Sequence, residues 1–187
     1  MALSCSINKS ILKTTSCGYS LQSVQDVFLA NRADVTKVER TIGTGGTCSQ
    51  EIASIALAPD AKWSHFQVAK NTASFADTLT KLDNGGSYRT HSLSFSIANA
   101  YSPEMVCIVD GLSLGNFIGV ARLASGNFVM LGSENVGLEA TTVTNQGAAS
   151  SSDFSGIQVE LSADLGETSS PLSAEAIEEL LGNVYEG

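Results

Sequence analysis

At 187 residues and 43% hydrophobic content the chain is long enough for one well-buried core, and neither a linker nor a low-complexity tract divides it. Its net charge of −9 is uneven: residues 1–100 carry nine basic and seven acidic groups, residues 101–187 one basic and twelve acidic. That balance excludes a clamp on phosphate backbones, which needs clustered Lys and Arg, and no apolar run approaches the ~20 residues that a bilayer-spanning helix requires.

Seventeen glycines, three prolines and abundant Ser and Thr among Val, Ile and Phe favour a β-rich class with two helical stretches. In chain order, residues 1–18 are polar and read as an N-terminal arm, residues 19–166 as one β domain, and residues 167–187 as a C-terminal tail with a short helix. Leu3-Ser4-Cys5 lacks the preceding apolar stretch of a signal peptide, and Lys9 and Lys13 follow at once. Cys5, Cys17, Cys48 and Cys107 show no spacing that suggests a metal site, so free thiols, no metal and no cofactor are expected.

A strand is expected around Val24 to Leu29, then a turn near Asn31 to Asp34, a loop over Thr41 to Gly46, and a short strand marked by Ile52, Ile55 and Leu57. Residues 72–98 form the strongest signal, because Thr72, Ser74, Thr78, Thr80, Thr90, Ser92, Ser94 and Ser96 fall on one side of a hairpin. Phe75, Leu79, Leu93, Phe95 and Ile97 fall on the other. Strand side chains alternate with period two, so the segregation fixes which face is buried. A three-residue loop at Asn84-Gly85-Gly86 pairs Asp83 with Ser87, Phe75 with Phe95, Thr78 with Ser92 and Thr80 with Thr90. Asp77 is the misfit, placed on the apolar face opposite Leu93.

Ser102-Pro103-Glu104 reads as a helix start: a capping Ser, a Pro whose missing N–H costs nothing there, and an acid at the positive end of the helix dipole. Met105, Ile108, Val109 and Leu112 share one face, and Gly115 is suited to close the helix in the left-handed conformation. A strand at Val106 to Val109 is the competing reading, since β-branched residues are poor helix formers. Phe117–Leu123 and Asn127–Leu131 form a second hairpin around Ala124-Ser125-Gly126. Strands around Leu138–Val143 and Ile157–Leu161 follow, separated by a loop at 147–152. Ser173 caps a last helix with Ile177, Leu180 and Leu181 on one side, Glu175, Glu178 and Glu179 on the other, and Gly182 at its end. It is either a lid on the core or a docking element.

No catalytic constellation emerges, and an enzyme is not expected. Gly111-Leu112-Ser113-Leu114-Gly115 matches the spacing of a nucleophile elbow, which requires strand then helix; here the order is reversed and both His65 and His91 precede the serine. Gly43-Thr44-Gly45-Gly46 lacks the Lys-Ser/Thr of a phosphate-binding loop. His91 falls on the apolar face, expected opposite Leu79, as a packed or rim residue. His65 has no carboxylate or second histidine at ligand spacing in the sequence. Glu178 and Glu179 lie on a solvated helix face.

Several local sequences in order resemble phage tail tube proteins, also called major tail proteins, of Bacteroides-type phages and prophages. They are Val27-Phe28-Leu29-Ala30-Asn31-Arg32-Ala33-Asp34-Val35, Lys70-Asn71-Thr72-Ala73-Ser74, Asn127-Phe128-Val129-Met130-Leu131-Gly132, and Asn135-Val136-Gly137-Leu138 followed by Thr141, Thr142, Gly147 and Asp153-Phe154-Ser155-Gly156. The resemblance covers roughly residues 20–165. It implies a β-sandwich or partial barrel with a long hairpin, one flanking α-helix and a short C-terminal helix. It implies six copies in a ring, stacked into a tube in the virion tail and assembled in the host bacterial cytoplasm. Tape-measure protein and DNA would pass through the lumen without specific binding, with tail initiator and terminator proteins as further partners and no membrane.

On that resemblance the eight hydroxyl residues become lumen-lining candidates, since a wall of small hydroxyls offers hydration and little to adhere to, and the acidic balance repels phosphates. Thr44, Gly45, Gly46, Ile177, Leu180 and Leu181 become candidates for contacts between rings. The bland reading of the face is an ordinary solvated side of an antiparallel sheet. Two other functions stay open: the inner tube of a contractile injection system or a tail terminator ring, and a monomeric β-sandwich glycan-binding module, for which Trp63 and Tyr101 would supply aromatic contacts.

Overall fold

The computed structural model describes residues 23–42, 49–68, 71–98, 103–147 and 154–185. In chain order these form β1 (Val24–Asn31), a 3-10 turn (Arg32–Asp34), β2 (Val35–Ile42), β3 (Gln50–Leu57), β4 (Ser64–Gln67), β5 (Ser74–Lys81), β6 (Ser87–Ala98), α1 (Pro103–Leu114), β7 (Asn116–Leu123), β8 (Phe128–Leu131), β9 (Leu138–Gln146), β10 (Gly156–Leu165), β11 (Ser170–Pro171) and α2 (Ala174–Gly182). The fold is mainly β, sandwich-like and without a closed barrel. Nine strands make one antiparallel sheet in the order β11-β8-β7-β9-β10-β6-β5, with β1 on the other edge of β7 and β4 on the other edge of β1; β2 and β3 pair separately.

The large sheet folds over at β7, which meets β9 at only Asn116–Glu139 and Phe117–Leu138. Odd-numbered side chains of β1 and β7, including Val27, Leu29, Phe117 and Ala121, thereby face Leu93 and Phe95 of β6 and Ile157, Val159 and Leu161 of β10 in a first core. Even-numbered side chains of the same strands, Phe28, Ala30, Ile118 and Val120, face a second core closed by Ile52 and Ile55 of β3, Trp63, and Leu172, Ala176 and Leu180 at the C-terminus. Burial on both faces explains the near-continuous apolar runs of β1 and β7. By contrast, β10 reads Ile-Gln-Val-Glu-Leu-Ser-Ala-Asp-Leu and buries alternate residues.

The long hairpin keeps its faces but not its register, and Leu79, expected on the buried side, is 47% exposed near the end of β5. Leu82 N–H donates to Gly86 O at 2.8 Å and Gly85 N–H to Leu82 O at 3.0 Å, so the three-residue loop is Asp83-Asn84-Gly85, with Gly85 at φ +85°. Phe75 therefore opposes Leu93, Thr78 opposes Thr90, Thr80 opposes Tyr88 and Asp77 opposes His91 rather than the partners expected above. The loop slides by one residue because Gly85, rather than Gly86, takes the left-handed position. A pairing shift of two residues preserves the faces, whereas a shift of one would have exchanged them.

The segment 103–114 is helical, not a strand, with Leu112 buried and Met105 and Val109 packed on the first core, while Ile108 on the same stripe is exposed. Gly115 is not left-handed. Its role is close approach: a Cβ there would lie 2.7 Å from Gly111 O and 2.1 Å from the Phe117 ring. The expected Ser102 cap lies outside the described residues. Strands β2, β4 and β11 had no expectation in the sequence. The C-terminal segment set apart above as a tail packs as a lid on the second core. Leu172 N–H donates to Phe128 O, Ser173 N–H to Ile52 O, and Tyr185 N–H to Trp63 O. Ser173 Oγ accepts from Ala176 N–H at 3.2 Å, capping α2 as expected.

Candidate functional site

The hydroxyl side of the hairpin is part of a larger surface. Antiparallel pairing aligns Ser74, Ser94, Glu160 and Thr142 in one row, and Ala76, Ser92, Ser162 and Glu139 in the next. Ser96, Gln158 and Thr144 form a third row, and Thr78, Thr90 and Asp164 a fourth. Period-two alternation places these side chains on the face opposite the first core. Among the described residues, the strand positions of this four-stranded face hold carboxylates at Glu139, Glu160 and Asp164 and no Lys or Arg.

Side-chain hydrogen bonds link neighbouring strands across this surface. Ser74 Oγ and Ser94 Oγ lie 2.9 Å apart, Thr90 Oγ1 donates to Asp164 Oδ1 at 2.6 Å, and Asn116 Nδ2 donates to Glu139 Oε1 at 2.9 Å. Of the eight residues selected from sequence, Ser74, Thr78, Thr80, Thr90, Ser92, Ser94 and Ser96 lie on the two strands of this face, and Thr72 precedes the first residue of β5. The sequence reading missed Tyr88, which shares the face through its pairing with Thr80, and the contribution of β9 and β10. Both strands were expected as elements; the alternation in residues 157–165 was the signal that could have marked the polar side of β10.

Thr44, Gly45 and Gly46 lie outside the described residues. Leu180 is only 3% exposed and belongs to this chain's own second core, Ile177 packs against the same core, and Leu181 is 51% exposed. Leu180 is thus corrected from a contact between rings to a core residue, because the face of α2 that carries it covers β3. Trp63, offered as an aromatic for glycan contact, is 1% exposed and cannot stack on a sugar. Tyr101 lies outside the described residues.

The misfit Asp77 is accommodated by three donors. Its Oδ1 accepts from Arg89 Nε at 2.6 Å, and its Oδ2 accepts from Ser169 N–H at 2.9 Å and Ser169 Oγ at 3.0 Å. Burial alone would raise this carboxyl, but the hydrogen bonds from Arg89 and Ser169 together outweigh it and hold the group below the ordinary carboxylate value.

His65, for which no carboxylate was expected, receives one through the pairing of β1 with β4: its Nε2 lies 3.0 Å from Asp26 Oδ1, while Arg122 Nη1 donates to Asp26 Oδ2 at 3.0 Å. The imidazole stacks on Phe28 with centroids 4.5 Å apart, and Arg122 lies over Phe128. His65 also borders a cleft of about 430 Å³ between α1 and β4, lined mainly by Leu29, Phe66, Ile108, Leu112 and Phe117. Ser113 Oγ donates to Val109 O at 2.7 Å, a bond within its own helix, and strand β7 follows that helix rather than preceding it. The described residues contain no group of three or more His, Cys, Asp or Glu placed to hold a metal ion.

No family model matches the chain, and no curated protein or solved structure matches it.

Proposed function

We propose that the chain is a structural subunit of a ring that stacks into a phage tail tube, with the β5-β6-β10-β9 face turned toward the channel. The observation that carries this reading is the composition of that face: hydroxyls, amides and three carboxylates across four strands, with no cation among its described residues. Such a wall holds water through its hydroxyls. It repels phosphates over about one Debye length, ~8–10 Å, and presents no ammonium or guanidinium that would trap DNA by counterion release.

The sheet edges support assembly. Among the described residues β5 pairs with β6 alone and β9 beyond Glu139 with β10 alone, which leaves both lateral edges of this four-stranded layer without a described strand partner. Unpaired edges invite association with further strands, and closure around a symmetric ring of six would satisfy both. The inner tube of a contractile injection system and a tail terminator ring would use the same face, and a neighbouring sheath gene would distinguish the first of these.

Negative-stain electron microscopy of the purified chain at low and high concentration tests the reading. Rings with a central hole, alone or in stacks, are expected. Particles of single-subunit size at every concentration count against it.

A further inference from the structure

His91 is 1% exposed, and the tube reading gives it no role. Its Nδ1 accepts the Gly132 N–H at 3.2 Å, which fixes the neutral ring with its proton on Nε2. That Nε2 makes no hydrogen bond of good geometry: the acceptors near the ring are the Glu167 backbone carbonyl and Asp77 Oδ1, the latter 3.7 Å away and beyond hydrogen-bond reach. Gly132 itself stands at φ +88°, the first residue of the turn that leads from β8 into β9. The ring therefore sits between a backbone amide that only its neutral form can bind and a carboxylate that its charged form would attract.

We infer that His91 is a proton-operated pivot, which in its neutral form fastens the 132–137 turn to β6 and on protonation releases Gly132 and pairs with Asp77. The step is a simple proton uptake. A proton from solvent occupies Nδ1, the lone pair that accepted the Gly132 N–H is lost, and two N–H groups then oppose each other. The imidazolium gains Coulombic attraction to Asp77, whose Oδ1 already holds Arg89 Nε, so the cation has to share or displace that donor.

The charged groups facing the ring come from three elements. Asp77 of β5 favours the cation, as does Glu167 of the segment between β10 and β11, first through its backbone carbonyl and then through its carboxylate; Arg89 of β6 opposes it, and the Glu167 carboxylate is itself paired with Arg40 Nη2 of β2 at 2.6 Å. Burial is the largest influence and holds the imidazole below its ordinary value of 6.5. With the folded value depressed, the neutral form's contribution to stability is complete above pH 6.5 and declines as the pH falls through the folded value. The pivot is intrinsic to the subunit and does not depend on what the chain assembles into.

The test is two-dimensional NMR of the isotopically labelled intact chain between pH 7.5 and 5, following the His91 ring nitrogens and the Gly132 amide. Both are expected to change with one shared midpoint below 6.5, the Gly132 proton moving to lower frequency as its hydrogen bond is lost. Asp77→Asn is expected to shift that midpoint further down, because the acceptor for the cation is gone. His91→Asn, which keeps an acceptor oxygen near the Nδ1 position, is expected to leave the Gly132 amide unchanged across the range. A Gly132 amide that stays constant through the His91 titration, a wild-type midpoint at or above 6.5, or a midpoint unmoved in Asp77→Asn would each overturn the proposal. The wild-type titration decides the matter even if a variant does not fold.

Discussion

Asp77 and Ser169 stand 92 residues apart in the chain, yet the Asp77 carboxylate takes both the backbone N–H and the hydroxyl of Ser169. This contact joins the β5–β6 hairpin to the segment that delivers β11 and α2 onto the second core. One carboxylate on the side of β5 that carries Phe75 and Leu79 thus ties down the C-terminal lid.

Replacing Asp77 by Ala is expected to destabilise the fold by about 2–3 kcal/mol, because Arg89 and the Ser169 amide lose their acceptor in a largely buried setting. Urea unfolding measures this, and a loss below ~0.5 kcal/mol would show that the contact does not hold the lid. The pH dependence has a definite sign. Because the folded carboxyl lies below its ordinary value of 3.8, its contribution is complete above that pH and disappears as the pH falls further. Comparing the wild type with Asp77→Asn from pH 5 to pH 2 should show the two stabilities converging toward acid.

Phe95 is 1% exposed in the first core and packs against Phe66 at 5.5 Å between ring centroids. Phe95→Ala is expected to cost about 3–5 kcal/mol through lost burial and the cavity left behind. Calorimetry of a folded variant with a loss under ~1 kcal/mol would mean that the two faces of β6 had been exchanged.

Gly156 opens β10 at φ +148°, and a Cβ there would lie 2.1 Å from Ile97 O. Gly156→Ala should therefore prevent the first pair of β10 with β6 from closing. A drop in melting temperature of several degrees is the expected outcome, consistent with ~1–3 kcal/mol of overpacking and backbone strain in a domain of this size.

Leu180 and Leu181 are adjacent but differ in burial, so they separate folding from assembly. Leu180→Ala is expected to cost about 2–4 kcal/mol, whereas Leu181→Ala should leave monomer stability within ~0.5 kcal/mol. If α2 also contacts a neighbouring ring, Leu181→Ala will shorten or abolish the stacks seen by electron microscopy while monomer unfolding is unchanged.

On the polar face, Ser92→Lys combined with Ser94→Lys should leave the fold intact, since both side chains are half-buried and point away from the core; if that face lines a channel, the added charge has a second consequence. Two ammonium groups per copy would then grip passing phosphates, so genome delivery is expected to slow or stop in an infectivity assay. Normal infectivity from virions carrying the double variant would remove this face from the channel.

The elements with strict periodicity were legible before the structure. The two faces of β5 and β6, the α1 stripe, the β7–β8 hairpin around Gly126 and the Ser173 cap each follow from side chains a few residues apart, where local geometry alone decides. Elements lacking such a pattern were not legible. β2 reads Val-Thr-Lys-Val-Glu-Arg-Thr-Ile, β4 has four residues, and β11 has two; pairing partners far along the chain define all three.

The amino-acid sequence by itself determined which side of the long hairpin is buried, because period-two alternation survives a register error of two. Only the tertiary structure decided the extent of the polar face, since β10 comes to lie beside β6 through pairs such as Asp164–Thr90, formed across 74 residues. Separations of 92, 39 and 41 residues likewise hid Ser169 from Asp77, Asp26 from His65 and Gly132 from His91. A buried charge is satisfied by whatever donor the topology brings near, and local pattern carries no record of that.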